Sequence, residues 1–227
     1  MTEVPIKLEP YQSFFIVFNK TNAATFRIRT GTENDFPEKK ELFSLDRNWS
    51  VYFDPSWGGP GEVAFDSISE WTERPEPGIR YYSGTAVYRC SFSMPEGKLN
   101  KKANDYFIKI NLSNSIAKVK LNGKTAGIIW TSPGELKITD YLKEEENTLE
   151  VEVTNLWINR LIGDEEEPWD GIENGKWPEW LIRGEKRPTN RLTFTTHRYY
   201  KKGDPLMPSG INSAVKVLYL PRKQDKV

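Results

Sequence analysis

The sequence predicts an all-β domain built as two stacked sheets, and three observations carry that prediction. Ala117, Val119 and Leu121 alternate with Lys118 and Lys120, Asn122 and Gly123 supply the two positive-φ positions of a tight hairpin turn, and residues 125–130 return. Leu149, Val151 and Val153 share one face of a strand over 147–155, with Glu150, Glu152 and Thr154 on the other. Short strand patterns recur along the chain with turn signals between them, and no stretch carries the apolar stripe of a three-turn helix.

Taken in order, residues 1–30 read as two terminal strands, 14–18 and 25–30, the end of a preceding domain. Residues 31–41, rich in Gly, Asn, Asp, Glu, Pro and Lys, read as a linker, and 223–227 as a tail. The sandwich occupies 42–222, with strands expected at 49–53, 85–94, 105–112, 116–121, 125–130, 147–155, 192–196 and 215–220. Pro133 and Gly134 break the ladder after the hairpin. Two segments resist the strand pattern, 54–83 and 158–188. Excursions that long inside a compact domain are usually functional or disordered, and their aromatic content argues against disorder. Loops of a sandwich gather at its ends, so the two are expected to share a rim.

The 227 residues are enough for a substantial core, and the 32 basic and 32 acidic side chains cancel, which leaves no basic footprint for nucleic acid. No stretch approaches the length of an apolar membrane span. One cysteine forbids an internal disulfide, and one histidine forbids a multi-histidine metal centre. Cys90 alternates with Ala86, Tyr88 and Phe92 and is expected in the core, and His197 is expected to be a packed or hydrogen-bonded imidazole. Eight Trp, ten Tyr and eleven Phe are the unusual feature. Such rings either fill the space between sheets or offer flat faces to sugar C–H groups.

Residues 119–124, 130–133, 138–143 and 147–155 together resemble the galactose-binding-like jelly roll of glycoside hydrolases, the family 2-type sugar-binding domain. Residues 49–60, Trp71, 78–86, 157–164 and 208–210 resemble more narrowly the C-terminal sandwich of α-L-rhamnosidase-like enzymes of glycoside hydrolase family 106 and relatives, over roughly residues 40–220. A Pro-x-x-Ser-x-Phe-x-x-Phe pattern over 10–18 is similar to the segment that closes the domain before that sandwich. The resemblance implies an accessory domain without catalysis of its own, cut from a multidomain enzyme that hydrolyses O-glycosyl bonds and is periplasmic or secreted. Its implied partners are the catalytic domain of the same parent chain and a carbohydrate, a plant-type polysaccharide or a glycan containing rhamnose or galactose. A purely structural interdomain module and a free-standing lectin-like protein are the alternatives.

The candidate carbohydrate-binding residues lie on the two excursions. The first offers Trp57 on a Gly-Gly-Pro background, then Arg80 and Tyr82, where a guanidinium beside rings could fork across sugar hydroxyls. Equally, Arg80 could pair with Asp54 or Glu70, and Tyr81 and Tyr82 could alternate between surface and core. The second offers Asn159, Arg160, Asp164, Trp169, Trp177 and Trp180. Asn159 and Arg160 suit either a ligand or the bracing of a long loop through its backbone carbonyls. The acidic run 164–167 with Asp170 reads as a solvated turn in preference to a calcium loop, whose alternating spacing it lacks, although the resembling family often holds a structural calcium. No catalytic residue is assigned, because the carboxylates fall in charged runs and not in the apolar pockets that would keep one protonated.

Overall fold

The computed structural model describes residues 6–8, 10, 13–17, 36–131 and 133–222. In chain order the strands are β1 (Lys40–Leu45), β2 (Trp49–Phe53), β3 (Gly61–Phe65), β4 (Thr85–Ser93), β5 (Asn104–Lys109), β6 (Leu112–Ser113), β7 (Ser115–Leu121), β8 (Lys124–Ile129), β9 (Glu135–Lys137), β10 (Glu146–Asn155), β11 (Gly210–Ile211) and β12 (Val215–Pro221). Three short helices interrupt them: α1 (Pro77–Arg80), α2 (Ile158–Asp164) and α3 (Glu179–Ile182). One sheet runs β3-β2-β4-β10-β7-β8 and the other β1-β12-β5-β9, with β11 and β6 as a small separate pair. This is the expected all-β sandwich.

The alternation read from the sequence sets the register. Val151 stands opposite Tyr88 on one side and Val119 on the other, so one face of the larger sheet is continuously apolar. The opposite face carries charge, with Lys120 bridging Glu150 and Glu152 and Arg89 reaching Glu150. Asn122 and Gly123 adopt φ of 53° and 77°, the positive pair that a two-residue hairpin needs. Cys90 is buried, and desolvation pushes its thiol up to about 12.

At one end of the core Trp49, Phe53, Phe65, Trp71, Tyr82 and Tyr88 form an aromatic block with no ring more than 1% exposed. Phe53 meets Tyr82 at 5.0 Å and Trp71 at 5.4 Å, both edge to face, the arrangement that ring quadrupoles favour. The Trp71 indole N–H donates to the Tyr88 hydroxyl, so neither polar tip is orphaned by its burial.

Four sequence expectations are corrected. Residues 14–17 form no strand; the expected strand at 25–30 and the tail at 223–227 lie outside the described residues. β1 begins at Lys40, inside the stretch read as linker, because Lys40 pairs with Tyr219. Residues 61–65, read as part of an excursion, form the edge strand β3 on β2. Residues 192–196 form no strand, since the amides of Leu192 and Thr193 donate to the Asp164 carboxylate instead of a ladder.

Candidate functional site

Both excursions leave from the same end of the larger sheet. Phe53 of β2 pairs with Ala86 of β4, Thr85 with Thr154 of β10, and Asn155 with Ser115 of β7, which brings these strand ends together. Ser83 Oγ donates to Leu156 O at 2.9 Å and accepts from Arg160 N at 3.1 Å. Asn155 Oδ1 accepts from Gly84 N, and its Nδ2 donates to Tyr82 O. A Cβ on Gly163 would lie 2.6 Å from Tyr81, so only glycine lets α2 press so closely on the first excursion. The expected common rim exists.

At that rim Trp57 and Trp157 meet edge to face, centroids 5.9 Å apart at 89°. They are 46% and 58% exposed. With Asp54, Ser83, Thr154 and Asn155 they line an open cleft of about 440 Å³. Trp57 is set by a 3-10 turn, Pro55–Trp57, in which Asp54 Oδ1 accepts from Ser56 N at 2.9 Å and from the Ser56 hydroxyl, and Gly58 closes the turn at φ 76°. The Ser56 hydroxyl and amide also hold the Asp54 carboxyl below its usual range, so it stays ionised and accepts only.

Of the candidates, Trp57 alone stands at the cleft as a half-exposed platform. Tyr82 underlies it, 1% exposed, its hydroxyl accepting from Asp54 N and donating to Thr85 O, and burial raises its pKa. Tyr81 is half-buried against α2, and the Tyr82 ring belongs to the core. Arg80 ends α1 with its guanidinium 5.8 Å from the Tyr81 ring. It does not pair with Asp54 or Glu70, whose carboxylates take Ser56 and Ser113.

On the second excursion the polar candidates are turned inward. Asn159 is buried and exchanges bonds with Met207 N and O and with Ser209 Oγ, the bracing alternative of the two its sequence left open. Asp164, with a side chain 1% exposed, accepts from Leu192 N, Thr193 N and Thr193 Oγ1, and lies 2.9 Å from Arg160 Nε. Arg160 is itself 14% exposed and lies 5.9 Å from the Tyr81 ring.

The acidic run is not the solvated turn that its sequence suggests. Glu165, with a side chain 3% exposed, is held by Arg191 at 2.6 Å and by Arg198. Asp170 takes a bidentate fork from Arg187 at 2.6 and 2.8 Å, with Thr189 adding a third bond. Burial pushes the Asp170 carboxyl up, but Arg187, Thr189 and the charge of Arg191 outweigh it and leave it below its usual range. Among the described residues no group of three or more His, Cys, Asp or Glu is placed to hold a metal ion.

The remaining indoles divide. Trp169 packs between arginines, Arg191 at 5.0 Å and Arg198 at 6.0 Å, and donates to Ile172 O. Trp180 donates to Asp170 O under Arg187. Trp177, 51% exposed, stacks on Phe194 at 5.9 Å and 8°. None of these three lines the cleft. His197 is exposed and edge-on to Tyr199, not packed in the core. Trp157, unassigned from the sequence, is the partner that Trp57 needs. Its signal was the break in alternation at Asn155-Leu156-Trp157, two successive apolar residues after a wet-and-dry strand.

No family model matches the sequence. A protein of Formosa agariphila named "Putative beta-glucuronidase" is 40% identical over 183 residues, which cover 79% of this chain and 16% of that protein. Among solved structures, a rhamnosidase from Novosphingobium sp. PP1Y matches with a TM-score of 0.68 and 26% identity, over 87% of this chain and 16% of that one. The β-D-glucuronidase of Dictyoglomus thermophilum shares the fold at a TM-score of 0.51 and 20% identity, over 84% of this chain and 29% of its own. The chain thus spans 16% of the length of the first two relatives. It is a β-sandwich domain shared with large multidomain glycoside hydrolases.

Proposed function

We propose that this chain is the accessory β-sandwich of an α-L-rhamnosidase-like glycoside hydrolase, docking on the catalytic domain of the same parent and holding a sugar in the Trp57–Trp157 cleft. The observation that carries this reading is the pair of half-exposed indoles set at right angles over an open cleft of about 440 Å³. Two perpendicular rings present a corner that an apolar sugar face and a sugar methyl group can fill together. Asp54, ionised, accepts from a sugar hydroxyl but repels a uronate, so the cleft favours a neutral deoxyhexose such as rhamnose.

The same lining argues for binding without cleavage. Glycoside hydrolysis normally takes two carboxyl groups about 5–9.5 Å apart, one with a raised pKa. Among the described residues the cleft's lining contains one carboxylate, and its pKa is lowered. For docking, the second excursion offers exposed apolar side chains in Trp177, Leu181 and Ile182, with Phe194 stacked on Trp177, all exposed to at least 38%. Residues 1–30 then belong to the preceding domain, with the sandwich proper beginning at β1, whose Lys40 pairs with Tyr219.

Calorimetric titration of the chain with rhamnose, galactose and glucuronate tests the reading. Rhamnose should release heat, glucuronate should not, and Trp157→Ala should lower rhamnose affinity about tenfold, the loss of one stacked ring. No heat from any of the three leaves only the docking role.

A further inference from the structure

On the far side of Thr154 and Asn155, which line both, a second open cleft of about 430 Å³ adjoins the first. Its wall is Trp130, 73% exposed, projecting just past the end of β8, where the buried Ile129 anchors the backbone in the core. Ile116 and Leu156, each 52% exposed, supply the apolar floor. Asn111 and Asn114 stand at the rim with their amide groups fixed, Asn111 Nδ2 donating to Ser213 Oγ and Asn114 Nδ2 to Pro208 O, both at 3.0 Å. The loop that follows Trp130 turns at Gly134, where a Cβ would fall 2.2 Å from Ile110 O, so the turn closes only with glycine.

We infer that the two clefts are consecutive subsites for one neutral oligosaccharide, which crosses the end of β10 with the Trp57–Trp157 corner at one end and Trp130 at the other. This rests on the sugar-binding reading of the first cleft and extends it from a single sugar to a chain of them. Each cleft falls in the ~300–1,000 Å³ range of small-ligand sites, so each holds a ligand unit of its own. In a chain whose residues are 28% charged, no charged side chain among the described residues lines the second cleft, and among them Asp54 alone lines the first. A nucleic-acid partner would be met by positive charge at such a rim, whereas a neutral glycan is met by rings beside fixed amides and hydroxyls. The ridge between the clefts ends in the exposed Leu156 and Trp157, so nothing buried has to move for a chain to cross it.

The test is titration of the 227-residue chain with rhamnose, galactose and the neutral oligosaccharides of two to six residues that contain them, in the unaltered protein and in Trp130→Ala, Trp130→Phe and Trp157→Ala. Affinity should rise at least tenfold between monosaccharide and tetrasaccharide. Trp130→Ala should lower tetrasaccharide affinity about five- to tenfold while leaving monosaccharide affinity within twofold, and Trp130→Phe, which keeps a ring, should recover most of the loss. Trp157→Ala should weaken every ligand. Affinity that stays flat from monosaccharide to tetrasaccharide, or tetrasaccharide binding indifferent to Trp130→Ala in a variant with unchanged near-ultraviolet circular dichroism, overturns the extension and leaves the first cleft intact. Binding by no member of the series overturns both.

Discussion

Removing the Asp164 carboxylate is the sharpest test of what holds the second excursion. Asp164→Ala takes the partner from Thr193 N, Thr193 Oγ1 and Leu192 N, and leaves the Arg160 guanidinium, 14% exposed, without its counter-ion. Thr193 is itself buried, so its donors cannot simply turn to water. Breaking a buried ion pair from one side costs about 3–5 kcal/mol, and the orphaned donors of Thr193 place the variant at the upper part of that range. The cost is local, because these bonds tie α2 to residues 192–193 and none of them reaches β4 or β10. Hydrogen exchange followed by mass spectrometry should therefore show residues 158–193 losing protection while the β4–β10 ladder keeps it. Adding Arg160→Met should recover part of the loss, since no unpaired charge then remains buried. A cost below about 0.5 kcal/mol in urea unfolding, the ordinary range for a surface site, would refute the bracing argument and restore the solvated-turn reading.

Gly123→Val should destabilise the domain by about 1–2 kcal/mol in urea unfolding, through the left-handed φ alone, because a Cβ there meets nothing within 4 Å. Asp170, held below its ordinary value of 3.8, adds stability that is complete above that value and is lost as pH falls through the lowered folded value. Asp170→Asn should thus destabilise at neutral pH and flatten the acid limb of a pH–stability profile below about pH 4. Cys90, with its thiol pushed up to about 12 by burial, should resist a thiol reagent at pH 8 in the native protein and react fully in denaturant.

What the sequence made legible was period and punctuation. Leu149, Val151 and Val153 announce a half-buried strand because every second side chain must leave water, and Asn122-Gly123 announces a hairpin because few other pairs tolerate two positive φ angles. What stayed hidden was competition. Residues 192–196 carry as good a strand pattern as any, yet their leading amides go to a carboxylate 28 and 29 residues earlier. Residues 61–65 were masked by Pro60 and by Gly61 at φ 85°, which punctuate a turn that also opens β3. The acidic run reads as wet only until Arg191 and Arg198 arrive 26 and 33 residues later to neutralise Glu165. A run of carboxylates followed by a matching set of arginines is the signal that sequence reading passed over.

The candidate site follows the same logic one level higher. Trp57 is legible as an exposed ring because its Gly-Gly-Pro neighbours cannot bury it, and Trp157 because it breaks the alternation that precedes it. Neither fact says that the two rings meet. Their meeting depends on antiparallel pairing of β2, β4 and β10, which returns the end of β10 to the end of β2 and sets both indoles over Asp54. The sheet thus determines where the rings converge. If the clamp at Asp164 is what keeps α2 seated, then Asp164→Ala should weaken sugar binding at the Trp57–Trp157 corner without touching either ring. A variant that unseats α2 by hydrogen exchange yet binds rhamnose at full affinity would separate the site from its support and defeat that chain of dependence.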